Sequence, residues 1–133
     1  MKFVSVTRLR LCSLRFLPGF AWYAIRSASQ CKQAEGNLHT FMRKDRGLVF
    51  WTITVWRDRA AALAFRNSGA HRGAMPKLAD WCDEGTYVHW EQSGTDAPGL
   101  QLAHARLVAE GAVSRVRHPS PRHANRDFPA PKS

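Results

Sequence analysis

The sequence predicts an α+β fold in the β-α-β-β-α-β order of the ferredoxin-like motif, a four-stranded antiparallel sheet with its helices on one face. Three observations predict it. Residues 2–9, 38–43, 48–56 and 85–92 read as four strands. Two helical stretches fall between the first and second and between the third and fourth. The run "GLVFWTITVW" at 47–56 is apolar or β-branched at nearly every position. A strand with one wet face alternates apolar and polar side chains, so this run wants cover on both faces.

Each element has its local reason. "KFVSVTRL" (2–9) is rich in Val, Phe and Thr, as strands are. Pro18 suits the first turn of a helix on which Ala21, Ala24, Ile25, Ala28 and Cys31 form one stripe, and Gly36-Asn37 stop it. "LHTFMR" and "LVFWTITVW" form a hairpin about the turn "KDRG", where Gly47 can take positive φ. Asp58 is the expected N-cap of a helix running to Arg66. "NSG" breaks that helix, and a less regular piece follows, bent or restarted at Pro76. "GTYVHWEQ" is the last strand, and "PGLQLAHARLVAEG" adds a short helix. The expected organisation is therefore a ferredoxin-like domain over 1–95, then a helix and an extended or disordered basic tail over 96–133, holding Pro119, Pro121, Pro129 and Pro131.

The bulk properties narrow the function. A chain of 133 residues with 44% hydrophobic content builds one core. No apolar run reaches the roughly 18 residues of a membrane span. Arg8, Arg10 and Arg15 interrupt the N-terminal stretch, so a signal peptide is not expected and a cytoplasmic location is. Cys12, Cys31 and Cys82 are widely spaced and form no C-x-x-C pair, so they read as reduced thiols in or near the core. The net charge of +10 lies outside the balanced stretch 35–112, with +6 in residues 1–34 and +4 in 113–133. Such terminal charge binds polyanions weakly; no specific nucleic-acid partner is expected.

On the run 48–56, Leu48, Phe50, Thr52, Thr54 and Trp56 project to one side and Val49, Trp51, Ile53 and Val55 to the other. The economical cover for the face without helices is a second copy of the chain, so a homodimer is expected, with a folded-back C-terminal arm as the alternative.

At "FWTITVWRDRAAALAFRNSGAH" the chain resembles the antibiotic-biosynthesis-monooxygenase-like proteins, a superfamily of dimeric α+β barrels. There a strand ends on Trp, a charged turn follows, and an Ala-rich helix leads to a Ser-x-x-His element; the matching residues are Trp56, Arg57-Asp58-Arg59, and Ser68 with His71. Over nearly its whole length the chain resembles an uncharacterised bacterial family through "MKFVSVTRLRL", "SGAHRGAMPKLADWCDE", "VHWEQ" and "HPSPRH", which brings no activity with it. The superfamily resemblance covers about 2–92 and implies the fold and the dimer. Its members include cofactor-free oxygenases, haem-degrading enzymes, isomerases and proteins without chemistry, so the fold leaves the function open.

The expected site follows the same pattern. The strand-ending Trp of that pattern lines a cavity, so Trp56, with Thr54, Thr52 and Phe50 on its side of the strand, is expected to bind an apolar or aromatic small molecule. His71, at a helix break, is the candidate general base, and His89, sharing a face with Tyr87, a second polar contributor or a solvent-facing residue. No cofactor is expected. Haem is the other option, with His39, His71 and His89 as its candidate ligands. Asp80, Cys82, Asp83 and Glu84 have no metal-ligand spacing and read as a solvated helix end. The expected function is a small oxygenase-like enzyme, with a non-catalytic barrel binding a small molecule or protein partner as the alternative and a basic surface binder third.

Overall fold

The structure is a computed structural model that describes residues 1–114, 116, 119–123, 128, 129 and 131; for residues 70 and 71 it describes the backbone alone. The elements are β1 (Lys2–Leu11), α1 (Leu17–Gln33), β2 (Asn37–Asp45), β3 (Val49–Trp56), α2 (Arg59–Arg66), α3 (Gly69–Trp81), β4 (Cys82–Gln92), α4 (Leu100–Glu110) and β5 (Ala112–Val113). The strands form one antiparallel sheet in the order β2-β3-β1-β4-β5. The first four strands and three helices are the expected ferredoxin-like arrangement, with the second helical stretch split into α2 and α3.

Local chemistry places most boundaries. Pro18 opens α1, as expected. Asp58 caps α2, its Oδ1 accepting from Ala61 N–H at 2.9 Å, and that bond holds its carboxyl below the usual range. The hairpin turn lies one residue later than expected. Asp45 ends β2 and accepts from Arg46 N–H, and Gly47 and Leu48 both take positive φ, so β3 starts at Val49. Pro76 sits inside α3, which runs unbroken from Gly69 to Trp81.

The acidic run is a correction. Cys82, Asp83 and Glu84 are not a solvated helix end; they begin β4. Glu84 is buried against Arg8, their charged atoms 3.4 Å apart, while Asp83 meets Arg10 at 2.8 Å. Burial raises the Asp83 carboxyl despite Arg10, and pushes the Cys82 thiol up to about 12, helped by Asp83. Of the three thiols, Cys31 and Cys82 are buried and Cys12 is exposed.

The two sheet faces carry separate cores. On one, Phe3 and Trp56 pack with Cys31, Ala61 and Phe65, and Leu11 and Phe20 pack with Phe50 and Trp81. These belong with α1, α2 and α3. On the other, Val4, Val6, Val49, Trp51, Ile53, Val55 and Val88 are buried with Ala103 and Leu107 of α4 and with Phe128. The cover expected from a second copy is thus supplied by the chain itself. The tail also holds core: Phe128 is 5% and His123 6% exposed. The His123 ring accepts Gly85 N–H at Nδ1 (3.2 Å), so in the neutral ring Nε2 carries the hydrogen donated to Ser114 O (3.0 Å).

Candidate functional site

The helix-side face of the sheet has a polar centre between two aromatic blocks. Register puts Thr52 beside Thr7 and Thr7 beside Tyr87, one row across β3, β1 and β4. The next row runs Thr54, Ser5, His89. Ser5, Thr7, Thr52 and Tyr87 are half-buried, and their hydroxyls make no hydrogen bond with another described residue. His89 is exposed and stacks on Phe3, ring centroids 5.2 Å apart. Small or apolar residues around them would leave nothing to orient a ligand; four hydroxyls and an imidazole on one face can hold a substrate oxygen and take its proton.

The ends of this floor are closed by packing. At one end the Trp56 indole N–H donates to Thr54 Oγ1 at 2.9 Å, and the ring lies 5.4 Å from Phe65. At the other, Phe50 meets Phe20 at 4.5 Å. Beside Phe50, an open groove of about 210 Å³ runs between Ala21, Ala24 and Ile25 of α1 and Met42 of β2, with Arg43 and Lys44 on its rim. Met42 is the cross-strand partner of Thr52, so the groove adjoins the floor. Two alanines on this side of α1 are what leave the space open.

The expected site residues therefore divide. Trp56, Thr54, Thr52, Phe50 and His89 do share one face. Trp56 (2% exposed) and Thr54 are buried and bound to each other, so they wall the floor. Phe50 forms the other wall, and Thr52 and His89 lie on the floor itself. His71 belongs to the first turn of α3; its side chain lies outside the described residues. His39 is on β2, in register with Val55 and hence on the opposite face. Among the described residues no group of three His, Cys, Asp or Glu side chains could hold a metal ion. Sequence reasoning missed Ser5 and Thr7. Their signal was the alternation of "VSVT", but their place beneath the helices depends on β1 lying centrally, between β3 and β4.

The antibiotic biosynthesis monooxygenase family matches residues 14–77. No functionally curated protein matches the chain. Among solved structures, a putative antibiotic biosynthesis monooxygenase from Nitrosomonas europaea superposes with a TM-score of 0.61 at 15% identity, over 68% of this chain and 89% of that one. A Mycobacterium tuberculosis protein gives 0.64 at 8% identity, over 71% and 97%. SnoaB, a cofactor-independent oxygenase from Streptomyces nogalater, gives 0.57 at 14% identity, over 70% and 94%. These relatives are covered nearly end to end while about three tenths of this chain is left over. The matched segment runs from just before α1 into α3, the superpositions take in the β-α-β-β-α-β core, and the chain has the fold of the antibiotic-biosynthesis-monooxygenase-like superfamily.

Proposed function

We propose that the protein is a small oxygenase-like enzyme acting on an apolar or aromatic molecule bound between α1 and the sheet. The observation that carries this reading is the floor of Ser5, Thr7, Thr52, Tyr87 and His89, set between aromatic walls and adjoining an apolar groove. The apolar lining of the groove suits an aromatic ring, and the hydroxyl row on the neighbouring strands supplies donors for a phenolic oxygen. An imidazole that takes the phenolic proton leaves an electron-rich phenolate, the form that dioxygen oxidises without a metal. SnoaB, a cofactor-independent oxygenase, carries this fold, which supports the class and says nothing of the substrate. No cofactor is assigned, and none of His39, His71 and His89 is proposed to hold haem. His89 and His71 are the proposed general bases. A homodimer is the proposed assembly, with α4 and Phe128 lying against the sheet face opposite the site.

A second reading, a non-catalytic barrel that binds a small molecule or protein partner, is favoured by one fact: the Thr54 hydroxyl and the Trp56 indole are spent on each other. Oxygen uptake with a panel of phenols and quinols separates the readings. The enzyme should consume oxygen, and Tyr87→Phe and Thr52→Val should weaken substrate binding. Exposed His89→Gln should leave the fold intact and lower turnover by roughly 10²–10⁴ if His89 is the base, and His71→Gln should do so if His71 is. Phenol binding without oxygen uptake makes the protein a binding module. No binding at all sinks both readings.

A further inference from the structure

α1 has an outward face that the fold does not use. Phe20 and Cys31 turn into the core, while Pro18, Trp22, Ile25, Ser29 and Lys32 recur at helical spacing on the exposed side. Such a side is ordinarily polar. Here Ile25 is 69% and Trp22 52% exposed, and Leu14, in the single turn that runs into α1, is 68% exposed. After the terminal Met1 these are the most exposed large apolar side chains among the described residues. We propose that this face docks peripherally on an anionic lipid bilayer, with Leu14, Trp22 and Ile25 entering the headgroup region and the arginines and lysines around them meeting the lipid phosphates.

Three observations choose a bilayer. The first is charge. Residues 1–34 contain no Asp or Glu, and on α1, α3 and the turn before α1 the cations Arg15, Arg26, Lys32, Arg72 and Lys77 stand against Asp80 alone. The second is how these cations are seated. The Arg26 guanidinium carbon lies 4.6 Å from the Trp22 ring centre, that of Arg15 4.7 Å from Phe16, and Lys77 Nζ 5.8 Å from Tyr23. The rings themselves run on from one another, Phe16 to Trp81 at 6.0 Å, Trp81 to Tyr23 at 6.0 Å and Tyr23 to Trp22 at 4.8 Å. The result is one aromatic belt edged with cations, a composition that settles at the level of anionic headgroups. The third is the kind of side chain that protrudes. Leu14 and Ile25 have no π-face, and Arg26 occupies a face of Trp22, so nucleic-acid bases find little to stack on, whereas the acyl boundary of a bilayer takes both aliphatic chains. Ile25 also lines the groove beside Phe50, so docking brings that groove to the bilayer surface.

Flotation of the full chain with lipid vesicles tests this, whether or not the protein is an enzyme. Vesicles of phosphatidylcholine with about one quarter phosphatidylglycerol should carry the protein up the gradient, and vesicles of phosphatidylcholine alone should bind it at least about ten-fold less. Leu14→Ser and Ile25→Ser should each weaken binding about ten-fold, because each removes an aliphatic side chain that the bilayer buries. Arg26→Gln and Lys77→Gln should each weaken it about five-fold. All four positions are exposed, so circular dichroism should be unchanged in every variant. No flotation with either vesicle, equal flotation with both, or serine variants that bind as the wild type does would overturn the proposal. Retention on single-stranded oligo(dT) without vesicle binding makes the face a nucleic-acid surface, and a sedimenting mass that halves in Leu14→Ser without vesicle binding makes it a protein contact; either result also overturns it.

Discussion

Thr54 shows how one side chain sets the limits of the site. Its hydroxyl accepts the Trp56 indole N–H inside the core, so the strand-ending tryptophan is held by its neighbour two residues back. Thr54→Val keeps the shape and removes the acceptor. It should cost about 1–3 kcal/mol, the penalty of a buried donor left unpaired, whereas Thr54→Ser keeps the bond and should cost less. Urea titration of both variants checks the difference. The parity of Thr54 and Trp56 was legible in the sequence. Their mutual bond was not, because period-two alternation says which side chains share a face and nothing about which of them meet. The same holds for Arg8 and Glu84. Each reads as a surface charge, and only the β1–β4 register turns them into a buried pair 76 residues apart in sequence.

The elements were legible where local chemistry decides them and illegible where packing does. Pro18, Asp58 and the β-branched runs carry their own structural preference. The start of β4 at Cys82 does not. Its acids resemble a helix end, and they become strand because β1 offers them a ladder and two arginines. The turn between α1 and β2 rests on Gly36, whose φ of +84° most residues avoid; a Cβ there would lie 2.6 Å from the Ala61 Cβ of α2. Gly36→Ala therefore combines backbone strain with a clash against a helix. It should destabilise by more than about 1 kcal/mol, the size of the opposite effect where alanine is tolerated. Thermal unfolding should then show a fall in Tm, and an unchanged or higher Tm would mean that α2 can shift to make room.

The whole molecule differs from its sequence-based picture mainly in its last third. A helix near 98–111 was readable from the apolar spacing of Leu100, Ala103 and Leu107. Its destination was not, since that spacing serves the chain's own sheet as well as a neighbour's. The polar, proline-rich composition around Phe128 also hid one well-buried aromatic ring. Phe128→Ala should cost about 3 kcal/mol as a buried aromatic is lost, which lowers the Tm of a chain this size by roughly 10 °C. Differential scanning calorimetry checks this, and a shift of only a degree or two would mean that the ring is dispensable to the cover. No helix among the described residues is long and apolar enough to cross a membrane.

The late position of that cover has a consequence for synthesis. The sheet's apolar face is complete once β4 has emerged, yet Phe128, which closes it, is made ~35 residues later. At typical translation speeds of 5–20 residues per second, the nascent chain carries this open face for about 2–7 s. During that interval, neighbouring nascent chains on one messenger can meet through the same surface. Expression yield should then depend on how fast the 3′ end of the message is read, with slow codons after the β4 coding region favouring insoluble product.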